Sequence, residues 1–138
     1  MADPSVTALF LDVGGVLLTN GWDRHARARA AERFGLEAAE MEERHNLTFD
    51  TYEEGKLTLN QYLDRVVFHT RREFTPESFR TFMFAHSQAH EGMLALAREL
   101  KSRYDLRLVA VSNEGRELTE HRIRTFELDE LFDCFVAS

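Results

Sequence analysis

The sequence predicts an α/β chain, a parallel sheet interrupted directly after its first strand by a helical insertion. Three observations carry this. Residues 6–11 (VTALFL) and 106–111 (LRLVAV) are short, nearly continuous apolar runs rich in β-branched and aromatic residues, as in strands covered on both faces. Between them, residues 20 to about 88 keep helical periodicity throughout. A third strand-like run, residues 132–137 (FDCFVA), follows one more helical stretch. The 138 residues suffice for one domain that buries roughly two thirds of its unfolded surface.

The elements follow in order. Residues 6–11 read as a central strand, ended by Asp12 and the Gly14-Gly15 pair. Residues 22 to about 34 turn helical and stop at Gly35, and an acidic helix runs from Glu37 towards Asn46. Thr58 caps a helix carrying Leu59, Tyr62, Leu63, Val66 and Val67. Thr75-Pro76 opens another with Phe79, Phe82 and Met83 at helical spacing. An amphipathic helix from Glu91 to about Arg103 presents Met93, Leu94, Leu96, Ala97 and Leu100. It leads into the second strand, which ends at Ser112-Asn113. Residues 115–126 form a helix with Leu118 and Ile123 inward before the last strand.

Composition excludes several classes of function. Asp plus Glu number 24 against 17 Lys plus Arg, a net charge of −7, which argues against a basic face for nucleic acid. No window approaches the ~18 apolar residues of a membrane span. The start, Met1-Ala2-Asp3-Pro4-Ser5, lacks the positive segment of a signal peptide. Cys134 is the only cysteine and reads as a small residue on a buried strand. A reducing cytoplasm is the expected compartment, where the sequon Asn46-Leu47-Thr48 has no meaning.

Chemistry concentrates where the first two strands end. An aspartate closing a buried strand costs desolvation free energy unless N–H groups, a cation or a reacting phosphorus pairs with it. Gly14 and Gly15 leave the next backbone bare, so its N–H groups can approach an anion and its carbonyl can face a metal. Ser112 offers a hydroxyl and Asn113 an amide at the neighbouring strand end. These residues describe a phosphate cradle facing a carboxylate nucleophile. On spacing alone, a tight turn with a locally satisfied Asp12 explains the pattern equally well.

The stretch Leu9-Phe10-Leu11-Asp12-Val13-Gly14-Gly15-Val16-Leu17, with Leu108-Val109-Ala110-Val111-Ser112-Asn113 downstream of a helical insertion, resembles the first and second motifs of the haloacid dehalogenase (HAD) superfamily of hydrolases. Tyr52-Glu53-Glu54-Gly55-Lys56-Leu57-Thr58, ahead of an amphipathic helix, is similar to the helical cap of its small-molecule phosphatase and dehalogenase-like branch. The resemblance implies an incomplete Rossmann-like core over residues 1–19 and 89–138, with a helical cap over 20–88. It makes Asp12 the nucleophile of a hydrolase acting on a small phosphorylated metabolite, or on a 2-haloacid in the dehalogenase variant. Gly14 stands where family phosphatases place a second aspartate as general acid and base. Gly14, Gly15, Ser112 and Asn113 are expected to bind phosphate, and Asp12 with the Gly14 carbonyl to hold Mg²⁺. The family's third-motif lysine and fourth-motif acidic ligands would fall after Ser138. Asp129, Glu130 and Asp133 precede the last strand and receive neither role. The second expectation is therefore a truncated or degenerate, non-catalytic member. Such a chain would self-associate or take up a complementing C-terminal segment, because its first strand would be an uncovered edge.

Lesser signals have plainer explanations. Arg24, Arg27, Arg29 and Arg33 with His25 make one insert helix basic, and Glu37, Glu40, Glu42 and Glu43 make the next acidic. Solvated ion pairs explain these better than substrate steering. Trp22 reads as core or hinge packing, His86 and His90 as exposed linker residues, and Phe74, Phe79, Phe82 and Phe84 as the core of the insert.

Overall fold

The computed structural model describes residues 5–137, without the Ala137 side chain. The reading of Met1-Ala2-Asp3-Pro4 lies outside the described residues. The chain runs β1 (Ala8–Asp12), α1 (Arg24–Phe34), α2 (Ala38–Glu53), α3 (Leu59–Val66), α4 (Pro76–Ala85), α5 (Glu91–Tyr104), β2 (Arg107–Ser112), α6 (Arg116–Thr125), α7 (Leu128–Leu131) and β3 (Cys134–Ala137). The three strands form one parallel sheet in the order β1-β2-β3, the expected α/β class with an incomplete sheet. Asp12 lies opposite Val111, so the ends of β1 and β2 stand side by side.

Local chemistry sets the helix ends. Asp23 caps α1 by accepting from the Ala26 N–H at 2.9 Å, and Gly35 ends it at φ 66°, donating to Ala31 and Glu32 carbonyls. Thr58 and Gln61 form a reciprocal capping box on α3, and Pro76 occupies the first turn of α4 behind the Thr75 cap.

Four expectations are corrected. Residues 6–11, expected as a central strand, stand at one edge of the sheet formed by the described residues, and Phe10 is 69% exposed. Cys134 is exposed, because β3 forms the opposite edge. The acidic helix continues to Glu53, as Thr48 and Tyr52 turn inward and extend its buried face. The stretch 115–126 is followed by a separate turn of helix, α7, whose Leu128 and Leu131 are buried.

Two apolar clusters result. One comprises side chains between Trp22 and Met83 together with Leu118 of α6, and the other packs Leu94, Ala97, Leu106, Leu108, Leu128 and Phe132 about the sheet. Among the described residues no helix is long and apolar enough to cross a membrane.

The insert cluster contains a polar chain that periodicity does not reveal. Trp22 Nε1 donates to the Tyr62 hydroxyl at 2.9 Å, and that hydroxyl lies 2.7 Å from His45 Nδ1. Trp22 is thus a core residue. Burial first, then the Arg27 charge, lowers His45 to about 4 from its ordinary 6.5. The folded protein keeps this ring neutral while the unfolded chain protonates it, so stability present above pH 6.5 is lost as pH falls towards 4. Urea melts should show this part of the loss to be on the order of 2 kcal/mol, and His45→Gln should remove it. An unchanged pH dependence in that variant contradicts the assignment.

Candidate active site

The turn after β1 is built on glycine. Leu17 and Leu18 donate to the Val13 carbonyl at 3.0 Å, and Gly15, at φ 78°, donates to Leu18 at 2.8 Å. The positive φ suits glycine. A Cβ on Gly14 would lie 3.0 Å from Glu114 Oε1, and one on Gly15 would lie 3.1 Å from Asn20 Oδ1. Asp12, exposed at the end of β1, has no ion pair among the described residues. It is therefore not a desolvated strand-end carboxylate, because β1 has an open side.

Across the strand pair, Ser112 is only 7% exposed and borders a small recess with Val13, Glu114 and Arg122. The structure thus brings Asp12, the glycine turn and Ser112 to one end of the sheet. Asn113 points elsewhere: it lines a recess with Asp50, Glu53 and Glu54. There burial and then the Asp50 and Glu54 charges push the Glu53 carboxyl upward. That acidic setting is unfavourable for a phosphate.

Two crossings join the helical insert to the sheet, and they are tied together. Thr19 donates from its N–H to the Gln88 carbonyl at 2.8 Å and from its hydroxyl to the His86 carbonyl at 2.7 Å. Arg122, 1% exposed on α6, donates to the Thr19 carbonyl, to Ser87 Oγ at 3.0 Å and to Glu114 Oε1. One guanidinium thus grips both crossings and the loop after Ser112. Glu117 makes a second bridge, accepting from Tyr52 Oη and from the Leu59 N–H, each at 3.0 Å. Burial, and next the Glu117 charge, raises the Tyr52 phenol well above its usual range. Tyr52, Leu59 and His86 were singled out in the sequence for other reasons, whereas Thr19, Ser87, Glu114, Glu117 and Arg122 were not. The available signal for Arg122 is its position four residues after inward-facing Leu118, a charge on the apolar stripe of α6.

Two spaces adjoin the turn. A cleft of about 800 Å³ is lined by Gly15, Asn20, His25, Arg29, His86 and His90 among others, within the usual size for a small-molecule site. A smaller space of about 160 Å³ lies between Trp22, Tyr52, Met83, Glu114 and Gly115. Asn20 and Asp23 border both. His86 is half-buried with Nδ1 2.9 Å from the Phe82 carbonyl, and with His90 it faces the larger cleft. The basic and acidic helices are joined by Arg27, which donates to Glu42 at 2.8 and 2.6 Å. That leaves Arg29 directed at the cleft.

Asp12 and the Gly14 carbonyl are two hard oxygen donors, and no hydrogen bond of the turn falls on that carbonyl. They fit Mg²⁺, which is held by one or two carboxylates and completes its shell with water and phosphate oxygens. No group of three or more His, Cys, Asp or Glu side chains suited to a metal stands among the described residues.

Solved structures share this architecture. A HAD family enzyme from Bacteroides thetaiotaomicron superposes with a TM-score of 0.75 at 18% identity, over 96% of this chain and 68% of its own. The chain has the HAD fold. The same Bacteroides enzyme in complex with magnesium and inorganic phosphate matches at a TM-score of 0.76, 19% identity, and 97% and 69% coverage. A predicted HAD-like hydrolase from Porphyromonas gingivalis gives 0.69 at 19% identity over 96% of this chain and 66% of its own. The L-2-haloacid dehalogenase RSc1362 gives 0.58 at 17% identity over 96% and 64%. No protein-family model and no curated protein matches the sequence.

Proposed function

We propose that the chain is a Mg²⁺-dependent hydrolase of small phosphate monoesters acting through an aspartyl-phosphate on Asp12. The observation that carries this is the exposed Asp12 at the end of β1, opposite Val111 and one register position from Ser112 at the end of β2, followed by a turn whose glycines leave the backbone bare. A HAD family enzyme of the same fold, described in complex with magnesium and inorganic phosphate, supports the reading. The proposed division is a sheet-bearing unit over residues 1–19 and 89–138, and a helical cap over 20–88 that closes on the substrate. A reducing cytoplasm is the compartment that goes with it.

Asp12 attacks phosphorus in line with the ester oxygen. The Ser112 hydroxyl and the N–H groups of the turn hold the non-bridging oxygens as charge shifts onto them. Asp12 and the Gly14 carbonyl would hold Mg²⁺, which neutralises phosphate charge when bound. The remainder of the substrate lies in the Gly15 cleft, whose Arg29 and three histidines suit an anion.

The test is steady-state hydrolysis of an aryl phosphate by the purified chain, with Mg²⁺ and with chelator. Mg²⁺-dependent release of phosphate is expected, and none under either condition contradicts the proposal. Arg29→Ala should raise KM about three- to tenfold at low salt and less at high salt, with kcat nearly unchanged. A salt-independent effect would place Arg29 outside the substrate's field. Release of halide from a 2-haloacid without phosphatase activity would replace the reaction by the dehalogenase variant.

A non-catalytic binding role is the second reading, favoured by the open side of β1 with Phe10 69% and Val6 66% exposed. Light scattering at increasing concentration tests self-association through that edge. Loss of a dimer on Phe10→Lys supports it, and a monomer throughout does not.

A further inference from the structure

The turn after β1 can hold only one end of a substrate. Gly15 of that turn lines the cleft of about 800 Å³, which is walled on its other side by α1 and the end of α4. A phosphoryl group fills a small part of such a volume, which lies in the range that holds a whole metabolite. The leaving group therefore rests against the helical insert, and the side chains there must match its chemistry.

α1 turns His25, Ala26 and Arg29 to the cleft. His25 and Arg29 are four positions apart, so they share a helix face with Cβ atoms about 5–6 Å apart and can grip one group together. Ala26 is small and buried and leaves the approach open. Arg27 is committed elsewhere, donating to Glu42 at 2.8 and 2.6 Å and to the Trp22 carbonyl at 2.7 Å. Arg29, in contrast, is exposed and has no ion pair among the described residues. The one acidic residue lining the cleft, Asp23, accepts from the Ala26 N–H at 2.9 Å as the cap of α1, where the helix's N-terminal partial charge offsets its own. An unpaired guanidinium with an imidazole one turn away offers planar donors of the kind that match a carboxylate.

We infer that the phosphomonoester taken by this chain carries a carboxylate on its leaving group, received by Arg29 with His25 on the insert side of the cleft; the inference rests on the reading of Asp12 as nucleophile. The substrate class is thus a small phosphorylated hydroxy acid. Such a molecule is anchored at both ends, its phosphoryl group at the turn after β1 and its carboxylate on α1. Two anchors fix the ester between them and restrict it to orientations suited to attack. The phosphate of a neutral alcohol has only the first anchor.

The experiment compares kcat/KM of the purified chain with Mg²⁺ on three esters of like size that differ at the end of the leaving group: 2-carboxyethyl, 2-carbamoylethyl and 3-aminopropyl phosphate. The carboxylate should be preferred over the isosteric amide by about tenfold, the effect of one charge-assisted pair, and the ammonium should rank last. Arg29→Gln should erase the preference, the carboxylate ester losing about tenfold more than the amide. Arg29→Lys, which keeps the charge without the planar fork, should restore part of it. The comparison separates contact from field, because attraction of the phosphoryl group by Arg29 weighs on all three esters alike. An amide turned over as fast as the carboxylate by the wild type, or equal losses on both in Arg29→Gln, overturns the assignment. The wild-type ranking requires no variant and decides the matter even if Arg29→Gln fails to fold. Should the wild type hydrolyse none of the three and no aryl phosphate, or Asp12→Asn retain full activity, the phosphatase reading itself falls. An Asp12-dependent enzyme without the ranking removes the carboxylate alone.

Discussion

Asp12→Asn is expected to abolish hydrolysis of an aryl phosphate, by on the order of a thousandfold or more in kcat, while leaving the melting temperature nearly unchanged. The amide has the size of the carboxylate but lacks its nucleophilic oxygen, so no covalent intermediate forms. The small effect on stability follows from the surroundings. Asp12 is exposed at the open side of β1 and has no ion pair among the described residues, so the fold loses little with its charge. Steady-state assays beside a thermal melt check both halves. Retained turnover would remove Asp12 from the chemistry, and a large drop in melting temperature would make its role structural.

The second large effect is expected at Gly115, where no unusual dihedral is involved: φ is −59° and ψ 152°, open to any residue. The constraint is space. A Cβ there would run into the Tyr52 ring, and Tyr52 is buried with its hydroxyl committed to Glu117. Gly115→Ala must push α2 away from α6 or displace the loop that carries Glu114. Overpacking with loss of one buried hydrogen bond costs about 3 kcal/mol, or roughly 10 °C in melting temperature for a domain of this size. Activity should fall with it. In a Tyr52→Ala background the same substitution should cost far less, because the clash is gone. Additive effects would show that the two residues do not press on each other.

The parts legible in the sequence are those whose signals are local. Asp12 and Ser112 could be placed at adjacent strand ends because an apolar run followed by Gly14-Gly15, and another followed by Ser112-Asn113, mark where strands stop. The caps at Thr58 and Thr75 and the stop at Gly35 are equally local. The bridges between insert and sheet were not legible. Arg122 reaches Thr19 across 103 positions and Tyr52 reaches Glu117 across 65, distances at which hydrophobic periodicity carries no information. The apolar run of β1 pointed to a central strand, and only the motifs expected beyond Ser138 pointed to an edge. The composition of β1 suits burial, whereas exposure of Phe10 depends on which strands pair. Asn113 was grouped with Ser112 by adjacency, but consecutive residues at a strand end face opposite ways, and its neighbours are the carboxylates of α2.

The covalent intermediate is the centre of the account. The most direct measurement is mass-spectrometric peptide mapping of the chain after acid quench during turnover of an aryl phosphate. A phosphoryl group on the peptide containing Asp12, absent in Asp12→Asn, is the predicted result. Turnover with an unmodified Asp12 peptide, or with the phosphoryl group on another residue, would contradict it.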